Sequence, residues 1–287
     1  MAAESGANES MPQSGTPRFL PLSASRHLHQ LKSLTKVADI LDCFTSNVRE
    51  LSVSEIARQT SMPKSTAHRI IDSMKACGFL EQDATRERYR LGMKLFEYGS
   101  VVLSNMELNR VAGPFVEALT KRAGESGHVC VFNGSHMLLV RRAASRASLA
   151  QNTLTTMEES ACYATGVGKA ALAYQSEAII ARIINAGLVP FTANTITDPR
   201  RLHDELALVR ERGYAIDNCE HESDRCCVAA PIRNSNGRVF ASISLSGPSR
   251  RLSMERLTAL APLVQDHAAS ISAQLGYREA RDSNAAN

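Results

Sequence analysis

The sequence predicts an α+β protein built as an N-terminal winged helix-turn-helix, a linker helix and a larger C-terminal sensor-like domain. Three observations predict it. Residues 51–91 alternate short helical and strand-like patterns in winged-helix order. An apolar helical pattern from Gly92 to Met106 is too hydrophobic for a free linker. Beyond it, strands and helices follow in mixed order without a βαβ repeat, which marks an α+β layer rather than a parallel sheet. At 287 residues two domains are the natural division. The boundaries fall as a disordered Ser/Gly/Pro/Ala-rich leader over 1–25, the winged domain over 30–92, the linker over 93–107, the sensor domain over 108–278 and a disordered tail over 279–287.

In the winged domain, Leu34, Val37, Ala38, Leu41 and Phe44 make an amphipathic helix. Ser52 with Glu55 forms a capping box for the next helix, which turns Ile56 and Ala57 inward. Pro63 sits where a helix start tolerates a missing N–H, and Ala67, Ile70, Ile71 and Met74 then define one buried face. The opposite face carries Ser65, His68, Arg69 and Asp72, with Lys64 and Thr66 at the helix start. A short, polar, basic face suits a DNA major groove, where hydroxyls and guanidinium groups meet base edges and phosphates. Gly78 ends the helix, and Phe79–Glu81 pairs with Arg88–Leu91 across a loop holding Asp83, Thr85 and Arg86. Arg86, Arg88 and Arg90 make this wing basic. The alternative is a structural three-helix module whose charges are simply solvated.

The helix from Gly92 is expected to connect the domains and pack against a second copy of itself, the alternative being burial within one chain. Leu108, Val111, Ala112, Phe115 and Leu119 continue as an amphipathic helix. Strands follow at His128–Phe132 and Met137–Arg141 around Asn133-Gly134, then a polar stretch over Ser148–Ser160 leads into A-T-G-V-G-K-A-A-L-A-Y. Helices are expected at Glu177–Ala186 and Arg200–Arg212, and strands at Tyr214–Asp217, Cys227–Arg233 and Val239–Ser246. A last helix places Leu257, Leu260, Val264, Ile271 and Leu275 on one face.

Net charge is +4 but uneven: between Arg18 and Lys94 there are 13 Lys and Arg against 8 Asp and Glu. The excess therefore lies in the helix-turn-helix segment, as phosphate neutralisation requires. No apolar run approaches the ~20 residues that span a bilayer, and the leader lacks a signal-peptide pattern, so a cytoplasmic protein is expected. Seven cysteines without a regular framework suit a reducing compartment, with Cys43, Cys77 and Cys130 expected as buried small hydrophobes.

The motifs L-S-V-S-E-I-A, P-K-S-T-A-H-R, Y-R-L-G, G-K-A-A-L-A, T-I-T-D-P, R-G-Y-A-I-D, C-V-A-A-P-I and S-I-S-L-S-G-P-S-R-R-L resemble, in the same order, the IclR family of bacterial transcription regulators over residues 32–277. The resemblance implies a DNA-binding domain joined by a helix to a GAF-like α/β effector-binding domain, acting as a homodimer or homotetramer on palindromic double-stranded operators near catabolic genes. It implies no cofactor, no enzyme activity and no membrane partner. DNA contacts would come from Lys64, Ser65, Thr66, His68, Arg69 and Arg88. Carried over position by position, the small-organic-acid site would hold Gly166, Val167, Asp217, Cys227, Ser244 and Ser246. The chain departs from the family at Tyr163, where histidine is usual, and at Asp224-Arg225-Cys226, where Gly-Val-Arg is usual. Asn152, Ser160 and Arg225 replace apolar wall, so Arg225 is expected to pair with the effector, favouring a dicarboxylic or hydroxylated aromatic acid.

Three other signals weigh less. G-V-G-K over 166–169 lacks the glycine a phosphate loop needs at Tyr163 and the hydroxyl it needs at Ala170. Cys219, His221, Cys226 and Cys227 could form a metal or thiol switch, though their spacing is not a standard zinc pattern. A cysteine hydrolase built on Cys130 or Cys227 with His128 or His221 has no third group to orient it.

Overall fold

The computed structural model describes residues 32–45, 48–83, 85, 87–145 and 159–278. The leader, the tail, Arg86 and Asn152 lie outside these residues. In the winged domain, α1 (Lys32–Leu41) leads to β1 (Leu51–Ser52), α2 (Val53–Gln59), α3 (Lys64–Ala76), β2 (Leu80–Gln82) and β3 (Arg88–Leu91). The strands form an antiparallel sheet in the order β1-β3-β2. Ser52 accepts the Glu55 amide and gives its own amide to the Glu55 carboxylate at 2.7 Å, so the capping box closes as read. Ile40, Leu51, Ile56, Ala67, Ile71, Met74, Leu80 and Tyr89 share one core.

Three expectations shift here. Leu34 is exposed, because it stands one turn beyond the core edge that Ile40 anchors, and Phe44 lies past the end of α1. Cys77 is exposed, at the outer C-cap of α3. The wing strand starts at Leu80, not Phe79, because the Phe79 amide bonds the Met74 carbonyl while the Gly78 amide bonds that of Lys75. That pair of bonds with Gly78 at φ +77° is a Schellman cap, so Phe79 belongs to the helix end.

Gly92 then caps α4 (Met93–Asn105), and a Cβ there would sit 2.1 Å from the Gly78 carbonyl oxygen. The turn into α4 thus requires glycine. No residue of α4 is buried, which removes the reading of burial within one chain. Phe79 meets Tyr98 edge-on at 6.2 Å, and Glu81 accepts the Met93 amide, so α4 is braced on the winged domain. Met106, in extended backbone, separates α4 from α5 (Glu107–Ala123).

The larger domain runs β4 (Ser126–Phe132), β5 (His136–Ala143), β6 (Glu159–Ala161), α6 (Gly166–Leu172), α7 (Glu177–Asn185), α8 (Pro199–Arg212), β7 (Ala215–Glu222), β8 (Arg225–Arg233), β9 (Val239–Pro248) and α9 (Met254–Gln274). Among the described residues its six strands are antiparallel throughout, ordered β6-β5-β4-β9-β8-β7. Strand alternation divides the side chains between two cores. Val129, Val228, Ala230, Ile243 and Leu245 meet α5 and α9 on one face. Cys130, Cys227, Ala229 and Ala215 meet α6, α7 and α8 on the other. β7 and β8 both reach further than their apolar runs suggest, since a register shift between Asp217 and Glu222 carries the pairing through polar residues.

Candidate functional site

Two surfaces of different chemistry result. On α3 the apolar face is buried at Ala67, Ile71 and Met74, with Ile70 only partly covered. The opposite face leaves Lys64, Ser65, His68, Arg69 and Asp72 exposed and Thr66 half-buried. His68 Nδ1 lies 2.9 Å from the Asp72 carboxylate one turn on. Pro63 caps the helix without a side-chain bond, and the first turn holds no acid, so the positive helix end is not neutralised locally. Arg88 stands differently from expectation: its guanidinium donates to the Glu50 carbonyl at 2.9 Å and pairs with Glu55 at 3.1 Å. It is tied back to the capping box of α2. Arg90 is likewise paired, with Glu81.

The second surface is an open pocket over the ends of β4, β7, β8 and β9. It is lined by His128, Thr165, Val167, Asp217, His221, Glu222, Arg225, Cys227, Ser244 and Ser246. Register explains the convergence. His128 faces Ser244, Cys227 faces Ser246 and Asp217 faces Cys227 across neighbouring strands, so every second residue of each strand points inward. Six of the seven expected pocket residues are brought together here. The seventh, Gly166, is not among the lining residues but adjoins one of them: a Cβ there would come 2.9 Å from the Cys227 sulfur.

Sequence reading missed His128, Thr165, His221 and Glu222 as pocket lining. Thr165 was legible as a helix cap, since its hydroxyl accepts the Gly168 amide. Glu222 carried no signal and His221 only one for metal, thiol or hydrolase chemistry, because the bulge hides the strand pattern. Arg225 donates to Glu222 at 3.2 Å, and its Nη1 lies 3.5 Å from the Ser246 hydroxyl. Tyr163 fills its position structurally, its hydroxyl donating to the Val189 carbonyl and accepting the Val189 amide.

Beneath the pocket lies a charged layer. Lys169 is 1% exposed and pairs with Glu220 at 2.5 Å and Glu205 at 3.4 Å. Asp217 accepts the Glu220 amide at 2.7 Å, yet burial pushes its pKa up to about 7, against the lowering effect of that bond. Burial pushes His128 down to about 3, helped by the nearby Arg142 and Arg225 charges. His221 is lowered too, by burial. The pocket therefore presents neutral imidazoles, the titrating Asp217 carboxyl, hydroxyls, and one guanidinium paired with the Glu222 carboxyl. Cys227 and His128 do meet here, but burial raises the thiol and lowers the imidazole, the opposite of an activated thiolate pair.

The metal alternative fails on strand geometry. Cys226 and Cys227 are adjacent in β8, so one faces each core, and Cys219, His221, Cys226 and Cys227 do not converge. Among the described residues no three His, Cys, Asp or Glu side chains gather in a metal-holding group. Among those residues, too, no helix is long and apolar enough to cross a membrane.

Comparison with known proteins agrees on both parts of the chain. Residues 33–84 match the family model described as the IclR helix-turn-helix domain, and residues 100–273 match that of the bacterial transcriptional regulator IclR C-terminal domain. The HTH-type transcriptional regulator BhcR of Paracoccus denitrificans is 32% identical over 250 residues, covering 87% of this chain and 89% of that protein. The crystal structure of IclR from Thermotoga maritima superposes with a TM-score of 0.61 at 32% identity, over 86% of this chain and all of that one. An IclR homologue from Microbacterium hydrocarbonoxydans, solved in complex with 4-hydroxybenzoate, gives a TM-score of 0.68 at 27% identity, over 85% and 98% of the two chains. With both domains matched, the chain belongs to the IclR family of ligand-responsive, DNA-binding transcription regulators.

Proposed function

We propose that this regulator controls a catabolic operon from the cytoplasm, binding a palindromic operator as a homodimer or homotetramer and releasing or tightening it when a small organic acid fills the pocket. The observation that carries the effector reading is Arg225, held at the rim between Glu222 and Ser246. A guanidinium so placed can exchange its glutamate partner for a ligand carboxylate in bidentate geometry. Asp217, His128, Ser244 and Ser246 supply the hydroxyl partners further in. One guanidinium among the lining residues suits a single carboxylate plus hydroxyls better than two carboxylates, so a hydroxylated aromatic acid is favoured over a dicarboxylic one. The 4-hydroxybenzoate in the Microbacterium homologue supports that choice.

Calorimetry with 4-hydroxybenzoate and a four-carbon dicarboxylate as probes tests it. Arg225→Leu should weaken the acid that binds by roughly tenfold or more, the worth of a charged hydrogen bond. Unchanged affinity for both probes retires the assignment. For DNA, Ser65, Thr66, His68 and Arg69 would reach base edges or phosphates, with Lys64 on the backbone. Arg69→Ala should cost about 1–3 kcal/mol in operator binding if it reads a guanine. An unaltered footprint and affinity would remove Arg69 from the contact set.

A further inference from the structure

We propose that Cys219 and Cys226 are a modification site: they form a reversible disulfide that staples the end of the β7–β8 hairpin, where three pocket-lining residues lie. Their sulfurs are 2.7 Å apart, inside ordinary van der Waals contact and outside a bond. Both thiols are free. The backbone brings them together through a distorted segment. Cys219 sits in the register shift between Asp217 and Glu222, in the left-handed region at φ +57°. A non-glycine residue held there is uncommon, and such backbone persists where the surroundings fix it. Here it turns the Cys219 side chain under the sheet to Cys226, into the core shared with α5 and α9.

The bond would close a ring that contains His221, Glu222 and Arg225, all of which line the pocket. Cross-linking two chain positions this close in sequence limits the conformations open to the hairpin tip between them. The tip is where Arg225 meets Glu222, so stapling fixes the distance between that guanidinium and the strands behind it. The consequence for a bound acid rests on the function proposed above; the bond itself does not.

A hydroperoxide completes the chemistry. Cys219, at 8% exposure the more accessible of the two against 2% for Cys226, attacks the peroxide oxygen and gives up its proton as it does so. The O–O bond breaks, the alkoxide or hydroxide leaves and takes a proton, and Cys219 becomes a sulfenic acid. Cys226 then attacks the Cys219 sulfur, the S–O bond breaks, water leaves with the Cys226 proton, and the S–S bond forms. Two thiols are oxidised by two electrons while one peroxide is reduced to an alcohol or water. A second thiol in excess reverses the bond by exchange.

The test uses full-length protein carrying Cys77→Ser, which removes the exposed thiol. Protein treated with hydrogen peroxide is blocked with iodoacetamide, digested without reductant and weighed. Expected is a peptide pair joined through Cys219 and Cys226, lighter by two hydrogens and restored by dithiothreitol. Hydrogen exchange of amides 218–226 should slow by roughly tenfold in the oxidised form, as opening of the tip is suppressed. Cys226→Ser should abolish both effects, and Cys219→Ser provides the same reading should the first variant fold poorly. Full alkylation of both thiols after oxidation, or a bond that leaves exchange unchanged, overturns the proposal. Parallel 4-hydroxybenzoate titrations separate the two readings: loss of binding in every redox state counts against the effector assignment alone.

Discussion

Asp217 shows how a single side chain can set the pH response of this pocket. Its folded pKa lies near 7 against an ordinary value of 3.8, so the folded chain holds a proton that the unfolded chain has released. Stability from this group is fully present below pH 3.8 and drains away as pH rises to about 7. A difference of that size corresponds to about 4 kcal/mol. Asp217→Asn keeps an acceptor for the Glu220 amide and removes the titration. Its melting temperature relative to wild type should therefore climb between pH 4 and pH 8, whereas a difference that stays flat would show that Asp217 titrates normally. The histidines act in the opposite sense, losing stability as pH falls below 6.5, but they are common to both proteins and cancel. Neighbouring glycines allow a second comparison at this scale. A Cβ on Gly166 would press on the tip of Cys227, while one on Gly168 would come 2.4 Å from the Cys162 backbone. Side-chain tips can rotate and backbone cannot. Gly168→Ala should thus cost about 3 kcal/mol or more and Gly166→Ala clearly less, measured by chemical denaturation. Asp217 and Cys227 were legible only through the shared motifs, and Ser244 and Ser246 through those motifs together with strand alternation. Lys169 was not, since a buried lysine betrays itself only through Glu205 and Glu220, which are distant in sequence.

At the scale of elements, local chemistry that closes within a few residues was read well. The capping box of α2 and the glycine ending α3 both depend on neighbours in sequence. What escaped was the β7–β8 end, where a bulge breaks the period on which strand reading relies. Arg88 has a partner that sequence reading did not anticipate: Glu55 stands beside it, 33 residues away in the chain. Burial is incomplete and the pair is worth little on its own. Yet Arg88 also bonds the Glu50 carbonyl and supports a carboxylate that caps α2. Arg88→Ala should accordingly lower the stability of the winged domain by about 1 kcal/mol. It should leave the slope of operator affinity against salt as it is in wild type, while Lys64→Ala should reduce that slope by about 1. A slope reduced equally by both substitutions would place Arg88 on a phosphate after all.

At the scale of the whole molecule, α4 connects the two chemistries. Its apolar side chains point away from the chain that makes them: Phe96 is 68% exposed and Val102 60%, with Met93, Tyr98 and Val101 beside them. Exposed apolar side chains spread around one helix, of which Tyr98 meets the winged domain at Phe79, are what an interface would cover. Under the proposed homodimer, self-association explains them, because a palindromic operator would need two recognition helices at a fixed separation and a two-fold axis provides both. The same helix is braced on the winged domain at Phe79 and Glu81 and leads through Met106 into α5, which packs on the sheet that builds the pocket. In the proposed dimer, a change in how paired α4 helices lie would alter the spacing of the two α3 helices and so carry occupancy of the pocket to DNA. The apolar pattern was visible in the sequence; its partner could not be, since periodicity reports that a face is buried and never by what. Replacing Phe96 and Val102 together by Asp should convert a dimer to a monomer in analytical ultracentrifugation, with operator affinity falling by at least roughly tenfold as the second half-site is lost. Thermal stability of the pocket domain should be unchanged, because neither side chain contributes to its core. A variant that sediments as wild type would move the interface off α4, and with it the route from pocket to operator.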